Sequence, residues 1–217
     1  VGLKVGGSLN AVRLDQSYSA LNVSQNYKST VGYQFGGSFY YFLNSNLALR
    51  GNILKGGTSI NHTMTSDELW EKTYIENLTF MNYTLGAAKY FDVKPKVKAF
   101  VGADAGVLTL SGSNVTVNST NFTPESFKVD TKDALNDRNK IQPNFTFLVG
   151  TPLELERGSF DIELGYSYFI NNTIVAETRM EDIDFILDSQ YINDDIKLGL
   201  ISLNFVYSLP INYRIGK

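Results

Sequence analysis

Apolar and polar residues alternate with a period of two along most of this chain, and that alternation constrains the fold more than any other feature. In residues 1–13, Val1, Leu3, Val5, Leu9 and Ala11 share one face, and Gly2, Lys4, Gly6, Ser8 and Asn10 share the other. Successive side chains of a strand point to opposite sides, so this is a strand with unlike surroundings on its two faces. The pattern returns in residues 30–43, with Val31, Tyr33, Phe35, Phe39 and Tyr41 against Gly32, Gln34, Gly36 and Ser38. It returns in 47–56, with Leu47, Leu49 and Ile53 against Arg50 and Asn52. In 78–91, Met81, Tyr83, Leu85 and Ala87 oppose Asn82, Thr84, Gly86 and Ala88.

The run at 97–110 sets Val97, Ala99, Val101, Ala103, Ala105 and Val107 against Lys98, Gly102, Asp104 and Gly106. Residues 144–155 set Phe145, Phe147, Val149 and Leu153 against Thr146, Gly150 and Glu154. Residues 160–170 set Phe160, Ile162, Leu164, Tyr166 and Tyr168 against Asp161, Glu163, Gly165 and Ser167. The last run, 196–209, ends on Ile201, Leu203, Phe205, Tyr207 and Leu209 against Ser202 and Asn204, and its first residues suggest the opposite phase and a bulge. The connections alternate in length. Long ones cover 14–29, 57–77, 111–143 and 171–195, and short ones cover 44–46, 92–96 and 156–159.

No stretch approaches the roughly 18 consecutive apolar residues of a membrane-spanning helix. A membrane barrel, however, averages its lipid face and its lumen into a moderate value such as the mean hydropathy of −0.13 found here. Alternation also fits a water-soluble barrel with an apolar interior. The composition of the polar face decides between them: Gly, Ser, Thr and Asn with few charges make a poor aqueous surface and a good filling for a narrow lumen. Tyr33, Tyr83, Phe145 and Tyr168 fall toward the long-loop ends and Tyr41, Phe91, Phe160 and Tyr207 toward the short-turn ends, like the two aromatic girdles of outer-membrane barrels. The expected fold is therefore all-β: an eight-stranded antiparallel up-and-down transmembrane β-barrel over residues 1–209, with four long extracellular loops and three short periplasmic turns. Residues 210–217 are expected to form a short periplasmic tail after Pro210. The expected location is the bacterial outer membrane after removal of a signal peptide, with membrane lipid as the first partner.

Inside such a barrel the charges Lys4, Arg50, Lys98, Glu154, Asp161 and Glu163 fall in the short-turn half, with Asp104 nearer the middle. Buried charges persist when paired, so these residues are expected to form a salt-bridge network that plugs the lumen. Eight strands enclose only enough space for side chains, which argues against an open pore.

The chain has 217 residues, no Cys and one His, a net charge of −3, and 14 Phe and 13 Tyr. Thiolate metal sites, disulfides and Cys nucleophiles are excluded, and nothing basic enough for a nucleic-acid partner is present. His62 is read as an exposed loop residue; as a general base it would serve a hydrolase, but no sequence feature orients it. No GxSxG, HExxH or phosphate-binding loop occurs. Glu177, Glu181, Asp182, Asp184, Asp188, Asp194 and Asp195 lack EF-hand spacing and read as a solvated acidic loop, so neither a metal nor a cofactor is expected. The same loop carries Met180, Ile183, Phe185, Ile186 and Leu187. With Trp70, Phe122 and Phe127 in other loops, these residues are candidates for binding a partner.

The segments Gly2-Leu3-Lys4-Val5-Gly6-Gly7-Ser8-Leu9-Asn10, Tyr83-Thr84-Leu85-Gly86-Ala87-Ala88-Lys89-Tyr90-Phe91 and Leu203-Asn204-Phe205-Val206-Tyr207 resemble the PorT-like outer-membrane β-barrel family of Bacteroidota. The resemblance implies an eight-stranded barrel without catalytic residues and an association with protein secretion. The expected function is a non-enzymatic scaffold or accessory subunit of a larger outer-membrane complex for protein secretion or outer-membrane protein assembly, with other outer-membrane proteins as partners. The alternatives are a monomeric surface-binding or adhesion barrel and, last, an outer-membrane hydrolase.

Overall fold

The computed structural model of the chain describes residues 1–11, 13–16, 23–66, 70–94, 97–122, 125–173 and 195–210. In chain order the strands are β1 (Gly2–Asn10), β2 (Arg13–Gln16), β3 (Val23–Lys28), β4 (Val31–Asn44), β5 (Leu47–Ser66), β6 (Trp70–Lys94), β7 (Val97–Phe122), β8 (Glu125–Asp133), β9 (Ile141–Leu155), β10 (Gly158–Phe169), β11 (Asp195–Lys197) and β12 (Gly199–Ser208). Eight of them form an antiparallel ring in the order β1, β4, β5, β6, β7, β9, β10 and β12, which β12 closes by pairing with β1. Every link is antiparallel, and all but the closing β12–β1 pair join ring strands that follow one another in sequence, as in an up-and-down barrel.

The alternation sorts side chains across the wall. Leu3, Val5, Val31, Phe35, Ile53, Leu85, Val101, Phe147, Val149, Leu164 and Leu203 are all accessible on the outer surface, and the opposite residues are buried inside. Tyr33, Tyr41, Tyr83, Phe91, Phe145, Tyr168 and Tyr207 are accessible with them. A wall apolar on all sides around a polar interior belongs in hydrocarbon, where a closed ring leaves no ring-strand edge unpaired.

Several strands run far past the bilayer. A tilted strand crosses in about 9–11 residues, whereas β5, β6 and β7 hold 20, 25 and 26. Their upper parts join β3, which pairs with residues 61–66 of β5, and β8, which pairs with residues 114–122 of β7. The result is a five-stranded sheet, β3-β5-β6-β7-β8, standing above the membrane-spanning wall. The expected loops 57–77 and 111–143 are thus largely strand. Beyond lipid the outer face no longer needs apolar residues, so alternation fades while pairing continues. Residues such as Thr63, Thr73, Thr116 and Thr131 favour strands and face one another across the ladders, with hydroxyl oxygens 3.2 Å apart in the first pair and 3.3 Å in the second.

The irregularity expected at the start of the last run lies between Asp195 and Ile196, where the register of β11 against β2 shifts, and it does not extend into β12. β12 keeps an unbroken register with β1 and β10, and Ile196, Leu198 and Leu200 are buried on the same side as Ser202 and Asn204. What changes along this segment is the chemistry of the lumen, since these residues join Ile60, Leu78, Phe80, Leu108, Leu110 and Phe169 in an apolar cluster. An irregularity does occur in β7, where Thr79 pairs with Gly112 and Phe80 with Leu110, leaving Ser111 extra. The added residue reverses the facing of β7 above it and turns Ser113 and Val115 inward.

Leu85 lies on the outer wall, 66% exposed, well inside the apolar belt. Leu85→Arg should destabilise the barrel in lipid vesicles by about 2–4 kcal/mol, measured by denaturant titration. Arginine at the exposed Glu71 of the raised sheet should leave the midpoint in place.

Candidate functional site

Parity along β1, β5, β7 and β10 points Lys4, Arg50, Asp104 and Glu163 into the lumen, where all four are buried. Glu163 is the centre of the group. Its Oε2 accepts from Lys4 Nζ at 2.5 Å and from Arg50 Nη2 at 3.2 Å, and its Oε1 accepts from Arg50 Nη1 at 3.0 Å and from the Tyr40 hydroxyl at 3.1 Å. Arg50 therefore grips the carboxylate with both terminal nitrogens, the strongest geometry open to this pair. On its other side Arg50 Nε lies 3.2 Å from Asp104 Oδ1. The Tyr40 ring, its centroid 5.6 Å from the guanidinium carbon, covers the cation.

The space for this cluster comes from glycine. Gly86 sits between Arg50 and Asp104 in the ladders, and a Cβ there would collide with the Ala103 carbonyl and the Asp104 carboxylate. Toward the loops the ionic layer gives way to amides and hydroxyls. Asn52 Nδ2 donates to Thr84 Oγ1 at 2.8 Å and to Asp104 Oδ2 at 3.3 Å, and Ser38 donates to Asn52 Oδ1 at 2.7 Å. Gln34 donates to Asn204 at 2.5 Å, and Asn144 to Asn82 at 3.2 Å. The apolar cluster around Phe80 and Phe169 follows.

The remaining residues expected in the network lie elsewhere. Lys98 and Glu154 pair with each other at 2.6 Å, but their side chains are 45% and 72% exposed. They stand near the short-turn ends of β7 and β9, where the wall stops and lumen-side residues reach water. Asp161 is buried without an ion-pair partner among the described residues.

A second buried ionic group lies above the apolar cluster. Arg138 Nε donates to Glu76 Oε1 at 2.7 Å and Nη2 to Oε2 at 3.2 Å, while Ser113 donates to Oε1 at 2.7 Å. Glu76 continues the inward parity of Asn82 and Thr84 on β6, so its facing is legible from sequence. The bulge that delivers Ser113 and the position of Arg138 after β8 carry no comparable signal.

His62 is not an exposed loop residue. It belongs to β5, where the parity of Arg50 and Asn52 continues through Ile60 and Met64, and it is buried against Tyr27, stacked at 4.1 Å, and Tyr74, at 5.9 Å. Trp70 is likewise covered, packing with Met64, Tyr74, Val115 and Ala134, so it does not offer the open surface expected of a partner contact. Phe122 and Phe127 lie on β7 and β8 with side chains outside the described set. Met180, Ile183, Phe185, Ile186 and Leu187, and the acidic residues from Glu177 to Asp194, fall outside the described residues. Among the described residues no group of three or more His, Asp or Glu side chains could hold a metal ion.

Removing Glu163 takes from buried Lys4 its ion-pair partner and leaves buried Arg50 with Asp104 alone. Glu163→Gln should lower unfolding stability in lipid by about 3–5 kcal/mol, whereas Lys98→Ala with Glu154→Ala should leave the denaturant midpoint unmoved. The filled lumen should also give no sustained conductance steps in planar bilayers. Steady single-channel currents from the unmodified protein would contradict the plug.

No protein-family model matches the chain, and no curated protein matches it. Among solved structures the chain is similar to Ail, the attachment invasion locus protein of Yersinia pestis, in complex with the heparin analogue sucrose octasulfate. The likeness covers 95% of this chain and 96% of that one, at 14% identity and a TM-score of 0.38. A second crystal structure of Ail gives 13% identity and a TM-score of 0.33, with 95% of each chain covered. Values this low assign no family, and the barrel reading rests on the strand pairing and the outer surface described above.

Proposed function

We propose that this chain is a non-enzymatic bacterial outer-membrane barrel that uses the sheet above its membrane-spanning wall to hold a macromolecule at the cell surface. The observation that carries this reading is the length of β5, β6 and β7, which lift a five-stranded sheet well beyond what crossing the bilayer needs. The connection between β10 and β11 leaves and rejoins the described strands at that same end, and its sequence carries Met180, Ile183, Phe185, Ile186 and Leu187, apolar residues of the kind a binding surface uses. A catalytic reading has less support. The carboxylate of Glu163 accepts four hydrogen bonds inside a packed lumen, and His62 is enclosed between two tyrosines.

A subunit of a secretion or assembly complex, as the PorT-like resemblance implies, would use its wall instead. Photo-crosslinking residues placed at Lys28 and Glu71 on the raised sheet, and at Leu85 and Val101 on the lipid face, separate the two. Crosslinks to extracellular material from the sheet positions alone are the expected result. Adducts with other outer-membrane proteins from Leu85 and Val101, with the sheet positions silent, would replace this reading with the subunit one.

A further inference from the structure

At the short-turn end the lumen opens into a cavity of about 970 Å³, within the size range of small-molecule sites. Tyr40, Phe42, Tyr90 and Asp161 line it, with Lys98 and Glu154 also on its wall. Asp161 is only 3% exposed, and its Oδ1 has no hydrogen-bond partner.

Charge explains why that matters. The buried ionic layer holds the cations Lys4 and Arg50 against the carboxylates Asp104, Asp161 and Glu163. Both cations are committed elsewhere, Lys4 to Glu163 and Arg50 to Glu163 and Asp104. Lys98 and Glu154 neutralise one another. One carboxylate is therefore left over, bonded by the Ser159 side chain but with no ion-pair partner among the described residues, and a cation entering the cavity would offset the cost of its burial.

The walls indicate which cation. Phe42 and Tyr90 pack with ring centroids 5.5 Å apart, and Tyr90 lies 5.1 Å from Phe100. Aromatic faces attract organic cations. A bare metal ion of the calcium type would need six to eight oxygen ligands, and the described residues supply no such cluster here.

We propose that this vestibule binds an ammonium or guanidinium group, with Asp161 as its ion-pair partner and Phe42 and Tyr90 as its aromatic wall. The group can belong to a free organic cation or to a basic side chain of a polypeptide on the short-turn side of the membrane. This site faces away from the raised sheet, so it stands or falls independently of the surface-binding role.

The test uses the full chain folded in nanodiscs, titrated by calorimetry with N-acetylarginine amide, with choline, with a hexapeptide carrying one arginine among glycines, and with the neutral isostere N-acetylcitrulline amide. Saturable binding of one or more cationic probes at about millimolar Kd or tighter, absence of binding by the citrulline compound, and at least a tenfold loss in Asp161→Asn are the expected results. A peptide that binds tenfold tighter than the free amide identifies a polypeptide side chain as the source, and equal binding identifies a small organic cation. Asp161→Asn must show the heat-dependent gel shift of a folded barrel. If it does not fold, Tyr90→Leu serves instead and should weaken binding severalfold. Undiminished binding by a folded variant, equal binding of the citrulline compound, or no binding by any cationic probe would overturn the proposal.

Discussion

Ring closure is the constraint on which everything else in this molecule depends. Hydrocarbon offers no hydrogen bonds, so a strand can cross it only when both of its edges are paired. The β12–β1 ladder, joining the last and first ring strands from Gly2 and Ser208 upward, meets that requirement. Once the ring is closed with eight strands its bore is fixed, and the bore has to be filled by whatever the inward parity supplies. Glycines at the tightest points and long polar side chains elsewhere are two answers to the same space problem. Gly86 beside Arg50 and Asp104 shows both at one level of the barrel.

The filling is stratified. An ionic layer centred on Glu163 lies nearest the short turns, amides and hydroxyls lie above it, an apolar layer around Phe80 and Phe169 follows, and the Glu76–Arg138 pair caps the stack. A buried ion cluster is seldom the most stabilising filling, because desolvating each charge offsets most of the attraction. It does penalise misalignment severely. Sliding β10 by one residue against its neighbours would turn Glu163 into lipid, take from Lys4 its ion-pair partner and leave Arg50 with Asp104 alone, so the cluster enforces strand register more firmly than apolar packing would.

Within the wall, strand facing was legible because lipid and lumen make opposite demands on consecutive residues. Leu3 and Lys4, Leu49 and Arg50, and Ile162 and Glu163 divide as their sequence positions require. The same logic fails once both faces of a sheet meet similar surroundings. Above the bilayer β5, β6 and β7 carry mixed polar sequence, so beyond residues 57, 77 and 111 no contrast of apolar and polar faces marks the continuing strands, although the parity of the wall carries on. His62 was misplaced for that reason, although its parity with Arg50 and Asn52 was available. The inward turn of Ser113 depends on the extra residue Ser111, and a single inserted serine has no distinctive signature. Position along a strand was harder to infer than facing. Lys98 and Glu154 have the inward parity of their neighbours but lie too near the rim for burial.

The continuity of β6 and β7 also has a mechanical consequence. Each runs as one strand from a short turn to the far tip of the sheet, and the two are paired along nearly their whole length. A tug on the tip would act along the strand axes, across hydrogen bonds that lie perpendicular to that pull. Many bonds would then share the load at once, where a hinged loop would let them break in succession. The raised sheet and the embedded wall thus share two continuous strands, and the path of the load between them is interrupted only by the single-residue bulge at Ser111 in β7.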